Sequence, residues 1–460
     1  MALSPPAPDP RKLRAPPREG RAAGGRIIRI LLSEGASTSA REAVTALGLA
    51  GHTIEVCDPD PRCLTRFSRL VTRFHRCPGL GRDPAGYLAF VLDLLASGRF
   101  DVLLPIHEQG FLFARALDRI RPLAAVALPA FESYARVHDK AAFSRLLDEL
   151  GLPQPRTRVL EDRTGLHAEP VPFVLKAAIG TASRGTWIIR TGADLAAALR
   201  DLEAVGGTDD ALLVQDLAEG AVEHAQAVFC EGRLLGFHAY RQAMRGAGGG
   251  DAVKESIRRP VVRAHMERIG ERLAWHGALS LDYILDAATG VPLYIDGNPR
   301  LVEPLGAAFA GLDLMDLLLR VSCGERPSPA RESPAPGPGE PVQNPDLSLV
   351  RESREGVRSH LAIQVLLGHI LAGGTRATLI REIGRLLTKR GPYAGSREEL
   401  TPVRLDWPSA MPGAVTALWL LADPRAALYL PRRGWGTHLL NPESVRTIRH
   451  MGAQLSQATA

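Results

Sequence analysis

Asp296 and Asn298 stand two residues apart in LYIDGNPR, residues 293–300, after an apolar, β-prone run and before Pro299 and Arg300. Strand side chains alternate faces, so the acid and the amide point the same way, and Gly297 leaves the opposite face bare. Pro299 ends the strand or marks it as an edge. A second acid, Asp282, lies in LDYILD, joined to VPLYIDGN by AATG, a pattern that predicts a hairpin. Hard oxygens converging across it suit Mg²⁺, which takes few protein ligands and lets phosphate oxygens complete its octahedron. A solvated hairpin is the plain alternative.

Cationic and small residues precede this pair. Lys140 opens an amphipathic helix in HDKAAFSRLLDELGLPQP, which Gly151 and Pro153 end. VPFVLKAAIGTASRGTWII reads as a strand carrying Lys176, a small-residue loop from Gly180 to Gly185, and a return strand. Such a loop lets backbone N–H groups approach an anion, and hydroxyls such as Ser183 add donors. It is not a Walker A loop, because G-x-x-x-x-G-K-[ST] is absent and the loop joins strand to strand. LLVQD ends in Gln215 and Asp216, and Glu223 follows a turn at Gly220, an order that suits an adenine and then a ribose hydroxyl. Arg241 ends a strand ahead of Gly248–Gly250, where a guanidinium can meet phosphate bidentately. Taken singly, each piece has a bland reading: a solvated charge, a glycine-tolerant hairpin, a β-turn with exposed acids, a surface arginine.

The elements that position these residues follow from pattern. The chain has 460 residues, enough for two to four domains, with 45% hydrophobic and 23% charged residues. RIIRILL, HTIEVCD and DVLLPI read as strands separated by helical stretches, which predicts a small parallel sheet covered on both faces. Ligands bind at the C-terminal edges of such strands, where His107, Glu108 and Gln109 fall, although helix-cap residues would look the same. The net charge of +6 is concentrated in the first 30 residues, with seven basic residues and two acids. The remainder is close to neutral and lacks a basic and aromatic stripe, which argues against nucleic acid. Five cysteines without a C-x-x-C suit a reducing, cytoplasmic setting. Residues 1–25 read as a disordered basic tail rather than a signal peptide. Asp423, Pro424 and Arg425 interrupt the one stretch of near-membrane length, 410–430, which leaves peripheral membrane contact of the C-terminal region open. Seven prolines between Pro327 and Pro345 predict an extended linker, and with it a 26–325 fragment that stays soluble when cut free.

The order of these motifs resembles the ATP-grasp superfamily, in particular its carbamoyl-phosphate-synthase-like and carboxylate–amine ligase branch, over residues 27–325. The resemblance implies an α/β chain, α+β overall: a parallel pre-ATP-grasp domain (26–125), a two-lobed ATP-grasp domain (126–325), the linker (326–345) and a separate C-terminal region of unassigned role (346–460). It implies that Lys140 and Lys176 contact ATP phosphates, and that Ser183 and Gly185 lie in the loop covering them. Gln215, Asp216, Leu217 and Ala218 line the adenine, and Glu223 takes the ribose. Arg241 stabilises the transferring phosphoryl group and Arg300 binds the acyl-phosphate or acceptor side. Asp282, Asp296 and Asn298 hold Mg²⁺, with Mn²⁺ an alternative. The implied activity joins a small-molecule carboxylate to an amine through an acyl phosphate. Carboxyphosphate formation, phosphotransfer, a non-catalytic nucleotide-binding role and a homodimer stay open. Asp296 departs from the family, which places glutamate before the asparagine.

Overall fold

The computed structural model describes residues 26–160, 163, 165–180, 185–204, 211–327, 350–400, 402–429 and 439–457. The basic tail, Ser183 and most of the proline-rich linker lie outside them.

Four short parallel strands form the first sheet, in the order β3-β2-β1-β4: β1 (Arg29–Leu32), β2 (Thr53–Asp58), β3 (Val71–Arg76) and β4 (Val102–Leu104). Alternation explains its two covered faces. Ile30 and Leu32 pack with Ala40 and Val44 of the helix Thr38–Leu49. Leu31 points the other way, toward Tyr87, Leu88 and Phe111. Ser37 caps the first of these helices by accepting from the Ala40 N–H, and Asp83 caps Pro84–Ala96 by accepting from Gly86. β3 was not legible in VTRFHR, a polar, half-exposed edge strand without an apolar face.

The second sheet is antiparallel, order β5-β8-β6-β7, from β5 (Thr157–Leu160), β6 (Phe173–Ala177), β7 (Thr186–Ile189) and β8 (Leu212–Asp216). Leu195, Ala198 and Leu202 of the helix Gly192–Ala204 cover it.

The third sheet is the largest, order β13-β12-β9-β10-β11-β15-β16, with β14 paired to β10. Its strands are β9 (Gly220–Cys230), β10 (Arg233–Arg245), β11 (Asp251–Ile257), β12 (Gly277–Asp286), β13 (Pro292–Asn298), β14 (Arg351–Glu352), β15 (Arg358–His360) and β16 (Arg397–Glu398). Ala225, Ala227 and Phe229 face Phe143, Met266 and Ile269 on helices Lys140–Glu149 and Pro260–Arg272. Val228 and Cys230 face the first sheet's core and the helix Leu314–Ser322.

The C-terminal region differs from the separate unit expected. β15 pairs antiparallel with β11, so residues beyond the linker extend the same sheet. Helices Ala362–Leu371, Arg376–Thr388 and Met411–Ala422 form a layer with its own small core, and Pro442–Gln457 returns to pack Val445 and Ile448 against the first domain. This pairing has no local signature because β15 and β16 are three and two residues long and wholly polar. All five cysteines are free. Among the described residues no helix is long and apolar enough to cross a membrane.

Candidate active site

The hairpin β12–β13 brings the predicted metal ligands together. Asp282 lies opposite Asp296, and Ser280 opposite Asn298, so period-two alternation sets all four on one face. Asn298 Nδ2 donates to Asp282 Oδ2 at 3.1 Å. The face behind carries no side chain at Gly297, and a Cβ there would stand 2.8 Å from Val137 Cγ1 and 3.0 Å from Phe143. The glycine therefore lets β13 lie close on the helix that Lys140 begins.

Two buried lysines reach this hairpin from separate elements. Asp139 caps the helix by accepting from the Ala141 and Ala142 N–H groups, which fixes Lys140 at its first turn. Lys140 Nζ donates to Gly180 O at 2.7 Å and lies 3.1 Å from Asp296 Oδ1. Lys176, on β6, donates from Nζ to Ile295 O at 2.8 Å. Burial pushes the Lys176 ammonium down to about 8, against the pull of Asp296 and with the help of Lys140 beside it. Gly185, at φ +77°, closes the small-residue loop and accepts at its carbonyl from the Ala177 N–H at 2.8 Å. Gly has no Cβ penalty in that conformation.

β8 carries the predicted adenine segment. Gln215 is buried, but its Nε2 donates to Thr157 Oγ1 at 2.9 Å across β5, so its side chain serves the sheet. Asp216 ends the strand exposed, and Leu217 and Ala218 follow half-buried in the link to β9.

Two expected residues do not join the group. Glu223 pairs in register with Arg241 on β10 and Tyr283 on β12, which puts all three on the face opposite Asp282. Its carboxylate accepts from Arg259 Nη2 at 2.6 Å and Nε at 2.7 Å and from the Tyr283 hydroxyl at 3.0 Å. Arg241 donates to Glu255 at 2.9 Å and is half exposed. The physical reason is strand parity: a one-residue offset sends a side chain to the other face.

The neighbours of opposite parity are the residues that sequence reading missed. His224 Nδ1 lies 2.8 Å from Asp282 Oδ1, and His224 Nε2 lies 3.5 Å from Asp251 Oδ2. Burial opposes charge on this imidazole, yet Asp251 and Asp282 together raise its pKa well above the ordinary value. Tyr240 stacks on His224 with ring centroids 4.9 Å apart, and Lys254 Nζ sits 5.5 Å from the Tyr240 centroid. Counting parity outward from Asp282 would have found them.

Lys254 is the centre of a buried ionic group drawn from three parts of the chain. Its Nζ lies 2.7 Å from Glu303 Oε2 and 2.6 Å from Glu399 Oε2. Glu42, from the first domain, adds a third carboxylate, with oxygens of all three within 4.8 Å of one another. Burial, then Glu399, pushes Glu42 well above the carboxylate range. The Lys254 ammonium keeps its proton because Glu303 and Glu399 outweigh its own burial.

Arg300, buried beyond Pro299, accepts at its carbonyl from Ser280 Oγ at 2.6 Å. Burial raises the pKa of the Tyr134 phenol, with Arg300 opposing the shift and Glu108 adding to it. Glu108 Oε2 in turn accepts from the Leu440 N–H at 2.5 Å, so the C-terminal segment touches this edge of the first sheet.

Asp282, Asp296 and Asn298 set two carboxylates and an amide oxygen on one face, and His224 contacts Asp282 from the adjacent strand. That donor set fits Mg²⁺.

No protein-family model matches the chain. The carbamoyl phosphate synthase large chain of Deinococcus radiodurans is 24% identical over 182 residues, 37% of this chain and 18% of that protein. The chain thus spans about a fifth of the synthase it matches. Among solved structures, the biotin carboxylase domain of Hydrogenobacter thermophilus 2-oxoglutarate carboxylase, in complex with MgADP and bicarbonate, gives a TM-score of 0.53 at 16% identity. That match covers 67% of this chain and 72% of the domain. L-amino acid ligase from Bacillus licheniformis gives 0.51 at 14% identity, over 65% of this chain and 75% of the ligase. Rhizobium etli pyruvate carboxylase gives 0.52 at 21% identity, over 66% of this chain and 29% of its own. The protein has an ATP-grasp fold. The second sheet carries Lys176, and the third sheet carries the hairpin of Asp282, Asp296 and Asn298. Residues 350–400 extend that third sheet.

Proposed function

We propose that the protein is an ATP- and Mg²⁺-dependent carboxylate–amine ligase. The observation that carries this reading is the meeting of Lys140 and Lys176 with Asp282, Asp296 and Asn298: two buried ammonium groups beside a hard-oxygen face. Such a set suits a polyphosphate and its counter-ion.

A substrate carboxylate oxygen attacks the γ-phosphorus of ATP, the bond to the bridging oxygen breaks, and ADP leaves. Lys140 and Lys176 offset charge on the phosphate oxygens, and both are held by carbonyl acceptors, so little reorganisation is needed. Asp282, Asp296 and Asn298 would hold a Mg²⁺ ion, which would supply further neutralisation of that charge. Arg300 holds the acyl-phosphate end. The amine nitrogen then attacks the acyl carbon, the C–O bond to phosphate breaks, and phosphate and a proton are released. The protein's part is positioning, charge neutralisation and exclusion of water.

ADP release measured with Mg²⁺ across a panel of amino acids and small carboxylates tests the reading. Release that depends on one carboxylate–amine pair is expected. Release driven by bicarbonate or by a phosphoryl acceptor alone would replace it. Asp296→Ala is expected to bring turnover down by at least about 100-fold while the protein stays folded. Full activity in that variant would remove the metal assignment.

A further inference from the structure

The helical layer of the C-terminal region carries a surface unlike the rest of the molecule. Of the sixteen large apolar side chains exposed among the described residues, eleven fall between Leu371 and Tyr429. On helix Met411–Ala422 they recur as Met411, Val415 and Leu418, positions i, i+4 and i+7 on one helix face, with Trp419 alongside. On the adjoining helix Arg376–Thr388, Ile380 and Leu387 share a face seven residues apart and are 59% and 81% exposed. Trp407, 63% exposed, precedes the first of these helices.

Charge in the same segment is one-sided. Residues 362–429 expose eight basic side chains, Arg381, Lys389, Arg390 and Arg404 among them, and one acid, Asp423. The segment's other acids are wholly or partly buried: Glu382 bonds Tyr393, Asp406 pairs with Arg41, and Glu399 pairs with Lys254. Exposed leucine, isoleucine and tryptophan amid an excess of exposed lysine and arginine is the composition of a helix surface that lies in the headgroup layer of an anionic bilayer. Long basic side chains keep their charge at the phosphates while their stems lie along apolar surface, and tryptophan prefers the interface. Elsewhere the described surface exposes only five large apolar side chains, scattered over the first domain and the regions of the second and third sheets.

We infer that this layer docks the protein on the surface of an anionic membrane, with helices Arg376–Thr388 and Met411–Ala422 lying in the interface plane. None of its exposed residues belongs to the candidate active site, so the inference stands apart from the ligase reading.

The test is flotation of the full chain with vesicles of phosphatidylglycerol and phosphatidylcholine, against phosphatidylcholine alone. The protein is expected to float with the anionic vesicles only, and less so at high salt. Leu418→Asp combined with Trp419→Asp is expected to lower the floated fraction at least about tenfold with the melting temperature unchanged. Absence from both vesicle types, or flotation that the double variant retains, would overturn the inference. A wild-type dimer in the ultracentrifuge that the double variant dissolves, without flotation, would overturn it in favour of a second copy of the chain.

Discussion

Lys176 is held in a state that a nucleotide would change. Its pKa falls from the ordinary 10.5 to about 8, chiefly by burial. In the folded protein the proton leaves first, so between these values the unfolded chain holds more protons and stability rises with pH. Phosphate beside the ammonium would reverse the shift. Nucleotide binding above about pH 8 is therefore expected to take up a proton, seen in calorimetry as a dependence of the binding enthalpy on buffer ionisation heat. Binding without proton uptake would place the phosphates away from Lys176. His224 offers a second test. It holds Asp282 from the adjacent strand, and removing a hydrogen-bond partner that orients a metal ligand typically costs on the order of 10–100-fold in metal affinity. His224→Ala is expected to raise the Mg²⁺ concentration needed for half-maximal turnover by that order, without loss of fold. Residue types revealed much of this site: two lysines, two acids and an amide spread over 159 positions, from Lys140 to Asn298, do converge. Glu223 and Arg241 did not, because type says nothing of strand parity, and the parity that matters is set by Asp282 across β9.

Elements were legible where local pattern decides them. The alternation in LYIDGN and the amphipathic helix that Lys140 opens are properties of adjacent residues, and both appear as expected. Short strands without apolar periodicity, β3, β14, β15 and β16, were not legible, because pairing with a neighbouring strand, and not a pattern of their own, defines them. Gly297 shows how closely two elements are fitted. An alanine there must displace Val137 or Phe143, both buried. Overpacking of this kind costs roughly 1–3 kcal/mol. Gly297→Ala is expected to lower stability in chemical denaturation by that amount and to weaken Mg²⁺-dependent turnover with it. An unchanged denaturation midpoint would mean that β13 can stand off the helix freely.

At the scale of the whole molecule, the parts before and after the proline-rich stretch are joined through buried charge. Lys254→Met would leave Glu42, Glu303 and Glu399 together without their cation, and breaking a buried pair on one side costs about 3–5 kcal/mol. Loss of soluble full-length protein is expected, and a combined change of Lys254 and Glu399 to apolar residues is expected to restore part of it. The soluble 26–325 fragment expected from sequence is revised for the same reason. Cutting before residue 350 strips β15 from the β11 edge and Glu399 from Lys254. Low soluble yield and no thermal shift with nucleotide are the outcome now expected. The linker's proline content was legible, but the contacts made beyond it were not. The buried pair of Arg41 and Asp406 adds a matter of timing, since its partners are separated by 365 positions. At ribosomal speed the arginine waits roughly 20–70 s for its aspartate to be synthesised. During that interval Arg41 and the Ser68 hydroxyl, which also donates to Asp406, belong to a nascent first domain without the carboxylate that both address.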